Sequence, residues 1–162
     1  KLTKAAAYTP GPVYLRLGKS EAEEIYSEDE DFPIGVSKQV VAGDYVTVIA
    51  CGSMVVTAIE AAKILKNEGK DTRVIDMYSI KPIDEEAIIK SAKETKAIIT
   101  IEDHSVIGGL GGAVCEITAK AAPAKVIRLG ICDRFGRSGS MNDLYNMFGL
   151  VKEKIVDAVN SL

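Results

Sequence analysis

The sequence predicts an α/β protein, a three-layer α/β/α sandwich around a mainly parallel sheet. Two observations carry that expectation. Unbroken apolar runs of strand length alternate with segments whose apolar residues recur at helical spacing, which is how strands buried on both faces and their covering helices read. A third strand then runs into Gly108-Gly109-Leu110-Gly111-Gly112, a strand-loop-helix junction where backbone comes close to backbone.

The elements follow in order from Lys1. Val13-Tyr14-Leu15-Arg16-Leu17 reads as a strand, with no helix in residues 1 to 12 to cover it. A lone strand leaves its ladder groups unpaired, so the chain is expected to start inside or at the end of a preceding domain. Residues 20 to 33 are rich in Glu and Asp and read as an exposed acidic linker. Ile34 to Val41 suggests an edge strand or hairpin arm before a turn at Gly43-Asp44. Tyr45 to Ala50 is a strand, and Cys51-Gly52-Ser53 a turn with Ser53 as helix N-cap. Val55, Ala58, Ile59, Ala62 and Leu65 mark a helix that Gly69 stops.

Arg73 to Met77 is the next strand. Asp84, Glu85 and Glu86 then sit at the positive end of a helix carrying Ala87, Ile88 and Ala92. Ala97 to Ile101 forms the third strand of the alternating series. The helix after the glycines has apolar residues at 110, 113, 114, 117 and 121 and ends before Pro123. Val126 to Leu129 is the fourth strand. Val151, Ile155, Ala158, Val159 and Leu162 give a final helix its apolar face.

Composition narrows the function classes. The chain has 162 residues, 47% of them apolar, and a formal charge of −3 with acids and bases mixed throughout. That size fits one globular core, and the charge pattern argues against a nucleic-acid surface. No apolar run reaches the roughly 20 residues of a membrane helix, so no membrane partner and a cytoplasmic location are expected. Cys51, Cys115 and Cys132 lack metal-type spacing and are read as reduced, buried thiols.

Several chemistries can be weighed at the strand ends. A dinucleotide fingerprint needs an acid about 20 residues beyond its glycines, and the strand reached there offers Arg128 instead. Close helix-strand packing explains those glycines better. His104 is the one histidine, beside Glu102 and Asp103. It could act as an acid or base, meet a neighbour across an interface or channel, or simply hydrogen-bond locally. Gly43-Asp44 lacks the second glycine of a metal-diphosphate motif and precedes its strand. Asp133-Arg134-Phe135-Gly136-Arg137 reads as a loop anchored by salt bridges, or as an anion clasp.

Taken together, five groups of residues resemble transketolase. They are Ile80-Lys81-Pro82-Ile83-Asp84, Glu102-Asp103-His104 with Gly108-Gly109-Leu110-Gly111, Arg134-Phe135-Gly136-Arg137-Ser138-Gly139 with Met147-Phe148-Gly149, Val13 to Lys19, and Glu30-Asp31-Phe32. The likeness is to the C-terminal domain, preceded by the last strand of a pyrimidine-binding domain. It implies residues 1–19 as the tail of that domain, 20–33 as linker and 34–162 as the C-terminal domain. Transketolases move a two-carbon ketol unit between sugar phosphates with thiamin diphosphate and Mg2+, which lie between the two preceding domains.

The resemblance therefore implies a structural and dimerising domain without a catalytic residue, binding neither cofactor nor metal alone. Its partners would be the diphosphate- and pyrimidine-binding domains, on the same chain or another subunit, in a homodimer. A substrate phosphate would meet Lys19, or Arg16 nearby, while Glu102, His104 and Arg134 would serve an interface or channel. The 2-oxoacid dehydrogenase beta subunits and deoxyxylulose-phosphate synthase share such a domain and remain alternatives, as does a stand-alone small-anion-binding module.

Overall fold

A computed structural model describes residues 1–18 and 23–162. Its strands are β1 (Lys38–Val41), β2 (Val46–Ala50), β3 (Thr72–Asp76), β4 (Ile98–Ser105) and β5 (Val126–Ile131). They form one sheet in the order β1-β3-β2-β4-β5. The central pairings are parallel, and β1 alone runs antiparallel, along the outer edge of β3. The helices are α1 (Leu2–Tyr8), α2 (Met54–Asn67), α3 (Glu85–Glu94), α4 (Leu110–Ala121), α5 (Met141–Phe148) and α6 (Lys152–Asn160).

Every residue of β2 and β3 is buried, as strands covered on both faces must be. Val46, Val48, Ala50, Val74, Ile99 and Ile101 pack against Met54, Val55, Ala58 and Leu65 of α2 and Ile155 and Val159 of α6. Ile49, Ile75, Met77 and Ile98 face the other way, against Ile88 of α3 and Leu110, Val114 and Ile117 of α4. These are the two outer layers of the sandwich. Alternate residues of a strand point to opposite faces, so parity alone sorts them between the layers.

Local chemistry fixes the ends of the helices. Asp84 accepts the Ala87 amide at 3.0 Å and caps α3, with Glu85 and Glu86 in the first turn. Beyond α2, Gly69 adopts φ of 74°, where a side chain would be strained. Ser140 caps α5 by accepting the Asp143 amide, and Gly149 ends it at φ of 70°.

Four expectations change. Leu2–Tyr8 is helical, and residues 13–17 are extended but belong to no strand of the sheet. A β-prone segment becomes a strand only where another edge accepts its ladder bonds. Ser53 stands at the N-cap of α2 but makes no capping bond, because its hydroxyl is used elsewhere. The acidic stretch is not simply solvated, since Ile25, Tyr26 and Phe32 are half-buried against the sandwich. Lastly, Cys132 is exposed, while Cys51 and Cys115 are partly covered; all three are free thiols.

Candidate functional site: the carboxyl ends of the parallel strands

The chain leaves β2 for β3 on one side, then returns past β2 to β4 on the other. The helices that follow β2 and β4 therefore lie on opposite faces, and a crevice opens where their loops part. In open α/β sheets this is the place for ligands. Here it is bounded by Cys51, Gly52 and Ser53 after β2 and by Glu102 to Ser105 at the end of β4.

Glu102 fills one half of it. On β4 it shares parity with Ile98 and Thr100, and so points to the α4 side. Its side chain is fully buried. Oε2 accepts the Leu110 amide at 2.6 Å and Oε1 accepts the Gly111 amide at 2.9 Å. The carboxylate thereby satisfies two of the otherwise unpaired N–H groups that begin α4, where the helix dipole favours negative charge. His104, two residues on and on the same face, places Nδ1 3.0 Å from Glu102 Oε2. The contact orients the imidazole, with the ring about one-third exposed.

Gly109 admits this carboxylate, and Gly111 lets α4 close on Thr100 and Arg128. A Cβ on Gly109 would stand 2.0 Å from Glu102 Oε2, and one on Gly111 2.7 Å from Thr100 Oγ1. The junction is a packing device, and the N-terminus of α4, which in nucleotide-binding folds holds a phosphate, is already occupied by the protein's own side chain.

Asp103 has the opposite parity and faces the α2 side. Its Oδ1 lies 2.7 Å from Arg16 Nη1, and the Arg16 guanidinium is held further in its charged form by that bond. Ser53 Oγ donates to Asp103 Oδ2 at 3.4 Å and lies 3.0 Å from the Tyr145 hydroxyl of α5. Beneath them the Cys51 thiol is pushed up to about 12, first by burial and then by the charges of Glu102, Asp103 and Asp76. It stays protonated at neutral pH and is no nucleophile.

Of the residues singled out from the sequence, Glu102 and His104 meet directly. Arg16 reaches the same crevice through Asp103. Lys19 lies outside the described residues. Arg134 sits apart in the exposed loop 132–140, whose Phe135 is 97% exposed. The expected salt bridges of that loop are missing among the described residues, so neither arginine is anchored by a carboxylate.

Sequence reasoning did not reach Asp76, Tyr26 or Tyr145. The last residue of a parallel strand is a natural candidate for the crevice, and that position would have flagged Asp76. Two shallow clefts, of about 170 and 310 Å3, lie between α2, α5 and α6 and beside β5. Nowhere among the described residues do three His, Cys, Asp or Glu side chains converge as metal ligands. With the α4 N-terminus closed by Glu102 as well, these residues do not fit a metal-diphosphate group.

The crevice of this open α/β sandwich is thus filled from within, by the Glu102 carboxylate on the α4 side and the Arg16–Asp103 pair on the α2 side. The described match is specific. The family model of the transketolase C-terminal domain covers residues 35–155, and the chain belongs to that family. A Methanocaldococcus jannaschii protein provisionally named a transketolase C-terminal section is 45% identical over 92% of this chain. Rat transketolase is 39% identical over all of it. A solved structure titled "Split gene transketolase, inactive beta4 tetramer" superposes with a TM-score of 0.95 over 99% of the chain at 44% identity. The chain spans 47% of the M. jannaschii protein, 26% of the rat enzyme and 52% of the superposed chain.

Proposed function

We propose that this chain is the architectural part of a transketolase-type enzyme that moves a two-carbon ketol unit between sugar phosphates, with thiamin diphosphate and Mg2+ held elsewhere. The observation that carries this reading is the buried Glu102 on the first amides of α4. It closes the sandwich's natural phosphate site by taking the Leu110 and Gly111 amides for the protein's own side chain. The diphosphate- and pyrimidine-binding regions are partners on the same polypeptide or a separate subunit, since the relatives that this chain half-covers include one titled as a split-gene protein.

In this reading residues 1–19 belong to the neighbouring pyrimidine-binding domain, with 20–33 as linker and 34–162 as the sandwich. The extended backbone of 13–17, which joins no strand among the described residues, suits a strand whose sheet lies in the partner. Lys19, just beyond that strand in sequence, supplies positive charge to a substrate phosphate as a point charge rather than a fork, with Arg16, inside the strand, as the alternative. His104 serves the interface or channel below it, with the buried Glu102 acting through its contact to the imidazole, and Arg134 serves another contact in the assembly. Exposed Tyr8, Tyr14, Leu17, Ile107, Phe135 and Met147 supply apolar surface for a homodimer and its partner regions. The enzyme acts in the cytoplasm on pentose phosphates.

A deoxyxylulose-phosphate synthase of Caldanaerobacter subterraneus is 33% identical over 91% of the chain, so pyruvate is the competing donor. The test combines this chain with a protein carrying the two missing regions and compares xylulose 5-phosphate with pyruvate as donor. Ketol transfer from the sugar phosphate supports the reading, and turnover of pyruvate alone replaces it. A stand-alone anion-binding module is disfavoured by the occupied α4 terminus.

A further inference from the structure

Asp76 ends β3 with its side chain almost wholly buried. The Tyr26 hydroxyl donates to Oδ2 at 2.7 Å, but Oδ1 is buried without a partner among the described residues. Tyr26 comes from the acidic stretch ahead of the sheet, and that stretch is clasped at several points. Phe32 stacks edge-on against Tyr26 and Tyr78, with ring centroids 4.9 and 5.2 Å apart. The Lys38 ammonium lies 4.2 Å from the Phe32 centroid and 2.5 Å from Glu30 Oε2. Tyr78 donates to the Pro33 carbonyl at 3.2 Å, and Ile25 packs on the α2-side core.

We infer that residues 25–33 are a strap latched to the sandwich at Asp76, and that loss of the Asp76 proton opens it. The physical reason is the orphaned oxygen. A neutral carboxyl can keep its 2.7 Å contact with Tyr26, as donor instead of acceptor, and leave only a carbonyl oxygen bare. An ionised one keeps the single hydrogen bond from Tyr26 but leaves its other oxygen charged and bare under the aromatic layer, where water reaches it only if Tyr26 and Phe32 lift away.

The groups facing Asp76 do not cancel this. Tyr26 and Lys38 favour the ionised form, yet burial outweighs them and the carboxyl is held above its ordinary range. Tyr78 and the Cys51 thiol are neutral in the relevant range, both pushed up by burial first.

The sign is fixed by linkage. The docked state binds the Asp76 proton more tightly than the open state, so latching is complete below about pH 4, the ordinary carboxylic value. It weakens as pH rises towards the docked carboxyl's own titration and is level beyond it. Glu30 works the other way: Lys38 holds its carboxyl low, so it aids docking above its ordinary value and ceases to as pH falls. Above about pH 5 only Asp76 supplies a slope.

The test is amide hydrogen exchange of residues 26–31 in the full chain from about pH 3.5 to 8.5, corrected for intrinsic rates, alongside a carbon NMR titration of the Asp76 carboxyl over the same range. The opening constant is expected to rise by up to about tenfold per pH unit until Asp76 titrates, then to level. Asp76→Asn abolishes the rise, which also separates it from titration of His104. Glu30→Gln loosens the strap throughout but keeps the rise. Protection independent of pH, a rise that persists in Asp76→Asn, or an Asp76 carboxyl titrating at or below the ordinary value overturns the inference.

Discussion

Glu102 shows how much a single buried carboxylate can decide. Removing it as Glu102→Ala leaves two amide donors unpaired inside the protein, and each hydrogen bond to a charged group contributes about 1.5–3 kcal/mol. Urea denaturation is expected to find this variant less stable by about 3 kcal/mol or more. Gly109→Ala attacks the same contact from the other side, by placing a methyl 2.0 Å from Glu102 Oε2. It is expected to lose about 2 kcal/mol through overpacking. Gly112→Ala, where a Cβ meets nothing within 4 Å, serves as the control that changes little.

Cys51 gives a pH prediction at the same scale. Its folded thiol is raised to about 12, above the roughly 8.5 of an unfolded cysteine. Its contribution to stability is therefore fully present below about pH 8.5 and is lost as pH rises towards 12. A thiol reagent applied to the native chain at pH 8 is expected to modify exposed Cys132 readily and Cys51 at least tenfold more slowly, with mass mapping of the products as the check.

Much of the residue scale was legible. Period-2 alternation already assigns Glu102 to the α4 side and Asp103 to the α2 side once the strand is extended to Ser105. The sequence reading stopped that strand at Ile101, because Glu102, Asp103 and His104 break its apolar run. Continuous hydrophobicity marks a buried strand only as long as no polar side chain has found a buried partner, and Glu102 finds two amides eight and nine residues away.

At the scale of elements, the alternating run from β2 to α4 was predictable because each strand and each helix announces itself within ten residues. The segment 13–17 was harder, since its strand-forming residues need an edge to pair with. What holds it in place here is the Arg16–Asp103 contact, with Arg16 half exposed. Exposed ion pairs contribute at most about 1 kcal/mol. Arg16→Ala is thus expected to leave global stability within that margin while proteolysis at residues 10–18 accelerates several-fold. An equal rate in both proteins would mean the contact does not hold the segment.

α5 was missed although its signals were present. Ser140 with Asp143 three residues later is a capping pattern, and Gly149 is a fitting C-terminal residue. The glycine- and arginine-rich run before it drew the reading towards a loop. That loop is exposed throughout, and among the described residues it makes none of the salt bridges its composition suggested. Alternating charge in a short segment shows only what could pair, and pairing needs a backbone that brings the groups together.

For the whole molecule, the mainly parallel sheet buries two apolar cores, one under α2 and α6 and one under α3 and α4. The crevice where such folds usually act is closed by a carboxylate, a protonated thiol and an ion pair, while large apolar side chains stand exposed beyond the sandwich. Sedimentation of the chain alone is expected to find a dimer or larger species, and a strict monomer at micromolar concentration would argue against the proposed self-association. The most direct measurement of the architectural role is ketol transfer between sugar phosphates by this chain, by a protein carrying the diphosphate- and pyrimidine-binding regions, and by the two together. The account predicts turnover only in the mixture, and turnover by this chain alone, or equal turnover by its partner without it, would contradict it.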